Sequence, residues 1–239
     1  LLSAGQPVVL QGGGRMPVKY GITTQELFSA LNLNLEGLTI DQVKAGFLQN
    51  NFAAIHQPNH FPLAEKLIKY REEIGKRPPI ASMELLWSAH QGEHLLISGF
   101  VHTPTEKRHW EALELLKEQN IMTVRGLEGS TDLPIGKEST IGHVQNKKLN
   151  RIKIHAKEYN YSGRDIRFTN IELWKDQAIQ TLDAIGPLTN SLIWNSGVYL
   201  WACKKTHTIE EGIIKSQSLL QSGAVKHTLE KLINWRQAL

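Results

Sequence analysis

The sequence predicts an α/β fold with a largely parallel sheet, because strand-like and helix-like stretches alternate along it. Three observations carry that expectation. Val8–Leu10, "HLLISGFVH" and "IMTVRGL" have the length and bulk of buried strands. Stretches with helix-capping spacing fall between them, and the last third, from Ile171, has an apolar periodicity suited to helices.

Taken in order, Val8–Leu10 is a strand candidate. Thr23 and Glu26 then have capping-box spacing ahead of Leu27, Phe28 and Leu31, which predicts a helix from Thr23 to Asn32. Thr39 with Gln42 opens a second helix to about Leu48, and Leu63–Ile74 a third, stopped by Gly75. Ile80–Trp87 reads as helical. Thr103, Pro104 at the first helical position and Glu106 launch a helix to about Gln119. Ser139–Val144 and Leu149–His155 read as strands joined by a polar turn at Asn146 to Lys148. In the helical tail Thr208 and Glu211 box one start, "GPLTN" (Gly186 to Asn190) divides two helices, and Gly223 divides the final pair.

A chain of 239 residues with 41% hydrophobic and 21% charged residues is long enough to bury a core and is not disordered in composition. Its longest apolar runs, such as Leu95–Val101, fall far short of the roughly 18 residues that span a bilayer. No basic segment followed by an apolar stretch opens it, so neither membrane insertion nor export is expected. Cys203 is the only cysteine, which favours a reducing, cytoplasmic setting. The net charge, 27 − 23 = +4, permits phosphate-bearing partners without requiring them. The opening "LLSAGQPVV" reads as the end of a helix running into a strand, and an N-terminal part is expected to precede it.

The first chemistry-bearing stretch is "VVLQGGGRMPVKYGIT", where a strand stops at Gly12, Gly13 and Gly14 and a helix follows. Backbone amides without Cβ atoms can approach an anion closely, yet the spacing is neither the Walker pattern nor the dinucleotide fingerprint, and a plain tight turn is the alternative. With "FPLAEKLIKYREEIGKR", "HLLISGFVH", "TVRGLEGSTDLP" and "THTIEEGIIKSQSLLQSGAVKHTLEKL", this segment resembles the anthranilate phosphoribosyltransferase family over nearly the whole chain. The likeness is greatest to a cyanobacterial paralogue group with "GGxRMPxKYGI" and "GLEGSxDLP".

The resemblance implies a nucleoside phosphorylase/phosphoribosyltransferase-like α/β catalytic domain with a mostly parallel central sheet, plus the remnant of a small helical domain. It divides the chain into 1–38 (start of the α/β domain with the glycine loop), 39–75 (helices of the small domain) and 76–239 (the remainder). It also implies phosphoribosyl pyrophosphate as ligand, Mg2+ as cofactor and a homodimer. The ligand would lie in a cleft between the glycine loop and the 126–132 loop. Gly12, Gly13, Gly14 and Arg15 occupy the place of the family's Lys-His-Gly-Asn and would cradle phosphate, with Lys19 adding charge. Arg77 stands where an arginine contacts anthranilate. The family's magnesium-binding Asp-Glu falls on Thr131 and Asp132, leaving one carboxylate. Weak or altered transfer is therefore expected, and no catalytic residue is assigned.

A second reading is a non-enzymatic paralogue that binds nucleic acid. Lys147, Lys148, Arg151 and Lys153 head the densest basic run, and alternate strand residues such as Arg151 and Lys153 share a face. Tyr159 and Tyr161 could stack bases beside them. "HQGEH" (His90 to His94) has zinc-peptidase spacing, but Gly92 and the adjoining strand oppose the helix such a site needs. Trp194 and Trp201 share a helical face and are expected in the core.

Overall fold

The computed structural model describes residues 1–16, 20–75, 83–145 and 148–239, with the side chain of Gln145 excepted. Lys19, Arg77 and Lys147 lie outside the described residues, as does part of the helix expected at Ile80–Trp87. The chain divides into two compact units. The first comprises Leu1–Ala81, Phe168–Gly186 and Ser218–Leu239; the second comprises Ser82–Arg167 and Pro187–Gln217.

In the first unit β1 (Val8–Gly12) is followed by α1 (Thr24–Ala30) and α2 (Ile40–Asn50). Both helices begin with the capping boxes read from sequence. Thr23 accepts from the Glu26 amide and Thr39 from the Gln42 amide, and each N3 side chain returns the bond. The next element was not foreseen. β2 (Phe52–His56) pairs parallel with β1 from Val8↔Phe52 to Gly12↔His56. Short helices α3 (Gln57–His60), α4 (Pro62–Glu65) and α5 (Ile68–Ile74) follow, so the single helix expected over Leu63–Ile74 is broken near Lys66. Gly75, at φ 62°, ends α5 as expected. The core of this unit joins Leu33, Leu35, Leu38, Val43, Phe52 and Ala53 to Leu232 from the far end of the chain.

The second unit holds β3 (Leu96–Gly99), α6 (Thr103–Leu115), β4 (Ile121–Val124), β5 (Ser139–Gln145) and β6 (Lys148–Ile154). Strand order is β3-β4-β5-β6, parallel between β3 and β4 and antiparallel through β5 and β6. The expected β5/β6 hairpin is thus present. The C-terminal helices are α7 (Ile171–Leu182), α8 (Thr189–Ala202), α9 (Ile209–Gln221) and α10 (Ala224–Gln237). "GPLTN" lies between α7 and α8, and Gly223 between α9 and α10, as their turn chemistry predicts. Trp194 is fully buried, and Trp201 meets His143 edge-on at 5.8 Å.

One cap reading is corrected. His102, not Thr103, is the N-cap of α6, and Glu106 does not close a capping box. Its side chain turns into the sheet, 1% exposed, where it accepts from the Thr123 hydroxyl at 2.8 Å and from Arg151 at 3.0 Å. The strand register explains the geometry, since Thr123, Gly142 and Arg151 lie side by side across β4, β5 and β6. A buried carboxylate needs such partners, because desolvation of an unpaired charge is prohibitive. Gly142 leaves the room: a Cβ there would fall 2.5 Å from Thr123 Oγ1 and 2.7 Å from Glu106 Oε1. Both atoms are held by hydrogen bonds and cannot yield cheaply. Gly142→Ala should therefore destabilise the protein by about 1–3 kcal/mol through overpacking. The check is urea denaturation, which should show a lower midpoint at unchanged slope.

Candidate functional site

The glycine segment lies at the C-terminal end of β1. Main-chain ladder bonds end at Gly12, and no hydrogen bond among the described residues uses the amides of Gly13 or Gly14. A Cβ on Gly12 or Gly14 would meet nothing within 4 Å, and neither has a positive φ. Among the described residues, packing and backbone strain therefore give no reason for glycine at these two positions.

Gly14 and Arg15 border a cavity of about 580 Å³ within the first unit, which the N-terminal turns of α1 and α7 also line through Thr23, Glu26, Ile171 and Glu172. Arg15 is not free. Its Nε lies 2.9 and 3.2 Å from the two Glu26 oxygens, and Nη2 lies 2.6 Å from Oε1. Glu36 and Glu172 also line the space, set against Lys175. Side-chain charges around it are mixed, so an entering phosphate competes with Glu26 for Arg15. His56, at the end of β2, borders the same cavity. Its main-chain amide donates to His60 Nδ1 at 2.9 Å, which leaves His60 Nε2 as the donor to Leu38 O at 2.8 Å.

Sequence reading missed His56, Glu36, Glu172 and Lys175 at this cavity. His56 became visible only with β2, and α7 reaches the cavity from more than a hundred residues downstream, with no local signal at Lys175. Arg71 was missed too. It is 4% exposed, and its Nη1 lies 2.9 Å from Met16 Sδ, beside the glycine segment.

In the second unit, the segment joining β4 to β5 carries Asp132. Its turn is tight: Leu127 N–H donates to Asp132 O at 2.8 Å, and the Asp132 amide donates to Ser130 Oγ at 3.0 Å. The Asp132 carboxylate is exposed and accepts one bond, from the Ser130 hydroxyl at 3.2 Å. Among the described residues no three potential ligand side chains cluster for a metal. Mg2+, however, is commonly held by one or two carboxylates together with substrate phosphates and water, and Asp132 fits that role.

The basic run is engaged within its own unit. Arg151 pairs with Glu106, and Lys153 Nζ lies 2.9 Å from Glu138, so the expected shared phosphate-facing pair already has carboxylate partners. Lys148 is exposed. Tyr159 packs against Trp194 with ring centroids 5.5 Å apart, so that ring is engaged, and the Tyr161 hydroxyl donates to Gln217 at 3.0 Å. "HQGEH" is not helical; His94 Nε2 lies 3.1 Å from Glu118.

A Gly-bounded strand end, an open cavity and a carboxylate turn after a parallel strand are features of ligand-binding α/β domains. The chain belongs to the glycosyl transferase family by its a/b domain, whose model matches residues 2–226. The relatives it resembles are anthranilate phosphoribosyltransferases. That of Polaromonas sp. is 26% identical over 247 residues, covering 99% of this chain and 68% of the relative. That of Albidiferax ferrireducens is 26% identical over 245 residues, with the same coverage. Among solved structures, the Thermus thermophilus enzyme superposes with a TM-score of 0.81 at 20% identity, covering 99% of this chain and 70% of that one. The Saccharomyces cerevisiae enzyme in complex with phosphoribosyl pyrophosphate and Mg superposes with a TM-score of 0.80 at 14% identity, covering 100% and 68%. The α/β fold class is thereby established. No helix among the described residues is long and apolar enough to cross a membrane.

The Glu26 carboxyl is held down at about 2, chiefly by the hydrogen bond from Arg15, with the Thr23 amide and hydroxyl assisting against partial burial. A depressed folded-state value means the stabilisation is full above the ordinary carboxylate range and is lost as pH falls through about 2. Glu26→Gln retains the capping-box acceptor without the charge. The difference in stability between wild type and this variant should be constant above about pH 5 and shrink between about 4.5 and 2, measured by thermal melts across that range.

Proposed function

We propose that this chain binds phosphoribosyl pyrophosphate with Mg2+ as a phosphoribosyltransferase of weak or altered activity. The amides of Gly12–Gly14 and the side chain of Arg15 would receive a phosphate. Asp132 would supply a carboxylate to the metal. Lys19 would add charge, and Arg77 would meet a carboxylate-bearing acceptor. The observation that carries this reading is the glycine segment itself: amides of Gly13 and Gly14 that have no hydrogen-bond partner among the described residues, and two glycines that packing against the described residues does not require. Family membership and the complex of the yeast relative with phosphoribosyl pyrophosphate and Mg support it.

Mg2+, when bound, neutralises negative charge on the departing pyrophosphate. The chain's own part is to orient the donor so that the C1–oxygen bond of the ribose breaks as the acceptor nucleophile approaches. Where the family carries two carboxylates, this chain offers Thr131 and Asp132, so charge neutralisation at that point is reduced. A slow reaction follows from that difference. We further propose a cytoplasmic homodimer for the intact protein, checked by light scattering.

Calorimetry with phosphoribosyl pyrophosphate and Mg2+ tests the binding reading, and absence of heat at millimolar ligand removes it. Gly14→Ala separates ligand binding from folding. Because φ at Gly14 is accessible to alanine, this variant should melt no lower than wild type and gain up to about 1 kcal/mol. Its affinity for the ligand should fall about tenfold or more, equivalent to about 1.4 kcal/mol. Equal affinity in both would show that the amides of this segment do not contact phosphate. Glu26→Gln should bind the same ligand more tightly than wild type, since Arg15 is then released from its carboxylate partner.

A further inference from the structure

The turn that carries Asp132 is gripped by two side chains from one helix. Asn195 and Tyr199 are one turn apart on α8. Asn195 Oδ1 accepts the Leu133 amide at 2.7 Å, and its Nδ2 donates to the Leu133 carbonyl at 2.9 Å and to Ser191 O at 3.0 Å. One carboxamide thereby satisfies both main-chain groups of the residue after Asp132. The Tyr199 hydroxyl donates to the carbonyl of Thr131, the residue before it. Asp132's own amide and carbonyl are taken by Ser130 and Leu127. The backbone on both sides of this carboxylate is therefore fixed, while the carboxylate itself points to solvent.

The helix is a rigid support. Trp194 and Val198 are 0% exposed and Leu200 is 1%. Backbones of α8 and α9 meet at two glycines, where a Cβ on Gly212 would lie 2.2 Å from Gly197 O. Side chains on packed helices hold a geometry more closely than loop residues do. Burial raises the pKa of the Tyr199 phenol well above its ordinary range, and the negative charge of Asp132 adds to this, so the hydroxyl stays protonated and a donor.

We infer that Asn195 and Tyr199 are positioning residues that preset the Asp132 carboxylate to hold a divalent cation. This rests on the reading of Asp132 as a metal ligand. Groups that orient a metal ligand through hydrogen bonds usually change metal affinity about 10–100-fold when removed. Here they act through the main chain, with two polar side chains one helical turn apart directed at consecutive peptide units.

The test uses Mn2+ as probe, with free Mn2+ counted by electron paramagnetic resonance in the presence of phosphoribosyl pyrophosphate. The proteins are the intact wild type, Tyr199→Phe, Asn195→Leu and Asp132→Asn. Tyr199→Phe removes a single oxygen and guards against a folding failure of Asn195→Leu. Both positioning variants should bind Mn2+ about tenfold or more weakly. Amide exchange at Leu133 should accelerate in Asn195→Leu, and affinity for phosphoribosyl pyrophosphate without metal should not change. If wild type and Asp132→Asn hold Mn2+ equally, or neither holds it, the Asp132 reading falls and this inference with it. If Asp132→Asn loses Mn2+ while both positioning variants bind as wild type does, this inference alone is overturned. A parallel loss of metal-free ligand affinity would mark a merely structural role and overturn it also.

Discussion

The second unit is organised by one buried carboxylate. Glu106 reaches from α6 across the β4–β5–β6 face to Thr123 and Arg151, over a glycine that leaves it room. A charge in that position tolerates no slippage of register, because a one-residue shift would turn Thr123 and Arg151 to the other face and leave Glu106 without partners. β4 and β5 are also the two ends of the segment that carries Asp132. The interaction that fixes the sheet therefore fixes the anchorage of that turn.

The two proposed contact regions differ in how they are prepared. The Asp132 turn is held by main-chain bonds, by Asn195 and by Tyr199, so little ordering remains when a cation arrives. The glycine segment instead offers open amides and an arginine occupied by Glu26. Binding there exchanges one anionic partner for another. That ion pair is half exposed, so water screens it and the exchange is not prohibitive.

Family membership leaves activity open, because a fold of this kind carries its function in a few side chains. Arg15 follows three glycines, and Thr131 precedes the single carboxylate of Asp132. The Thr131 carbonyl is used as the acceptor for Tyr199. The segment around Asp132 is thus a rigid turn that keeps its carboxylate in a defined place.

Local chemistry was legible from residues alone. Capping boxes at Thr23 and Thr39, helix stops at Gly75 and Gly223, the β5/β6 hairpin and the division of α7 from α8 by "GPLTN" depend on neighbours within a few positions, so their signals are in the string. β2 was not legible, since "FAAIH" is short and alanine-rich, and it becomes a strand by pairing with β1 some forty residues away. Glu106 was misread for the same reason: three residues after Thr103 it has capping-box spacing, but the sheet beneath offers stronger partners. A phosphate-facing strand was one reading of the basic run, and Glu106 and Glu138 come to it only through the fold. Sequence determined the elements whose bonds are local, and the resemblance that names the family. Tertiary structure alone decided which charges are already paired and which backbone amides are left open, because both depend on groups brought together from distant parts of the chain.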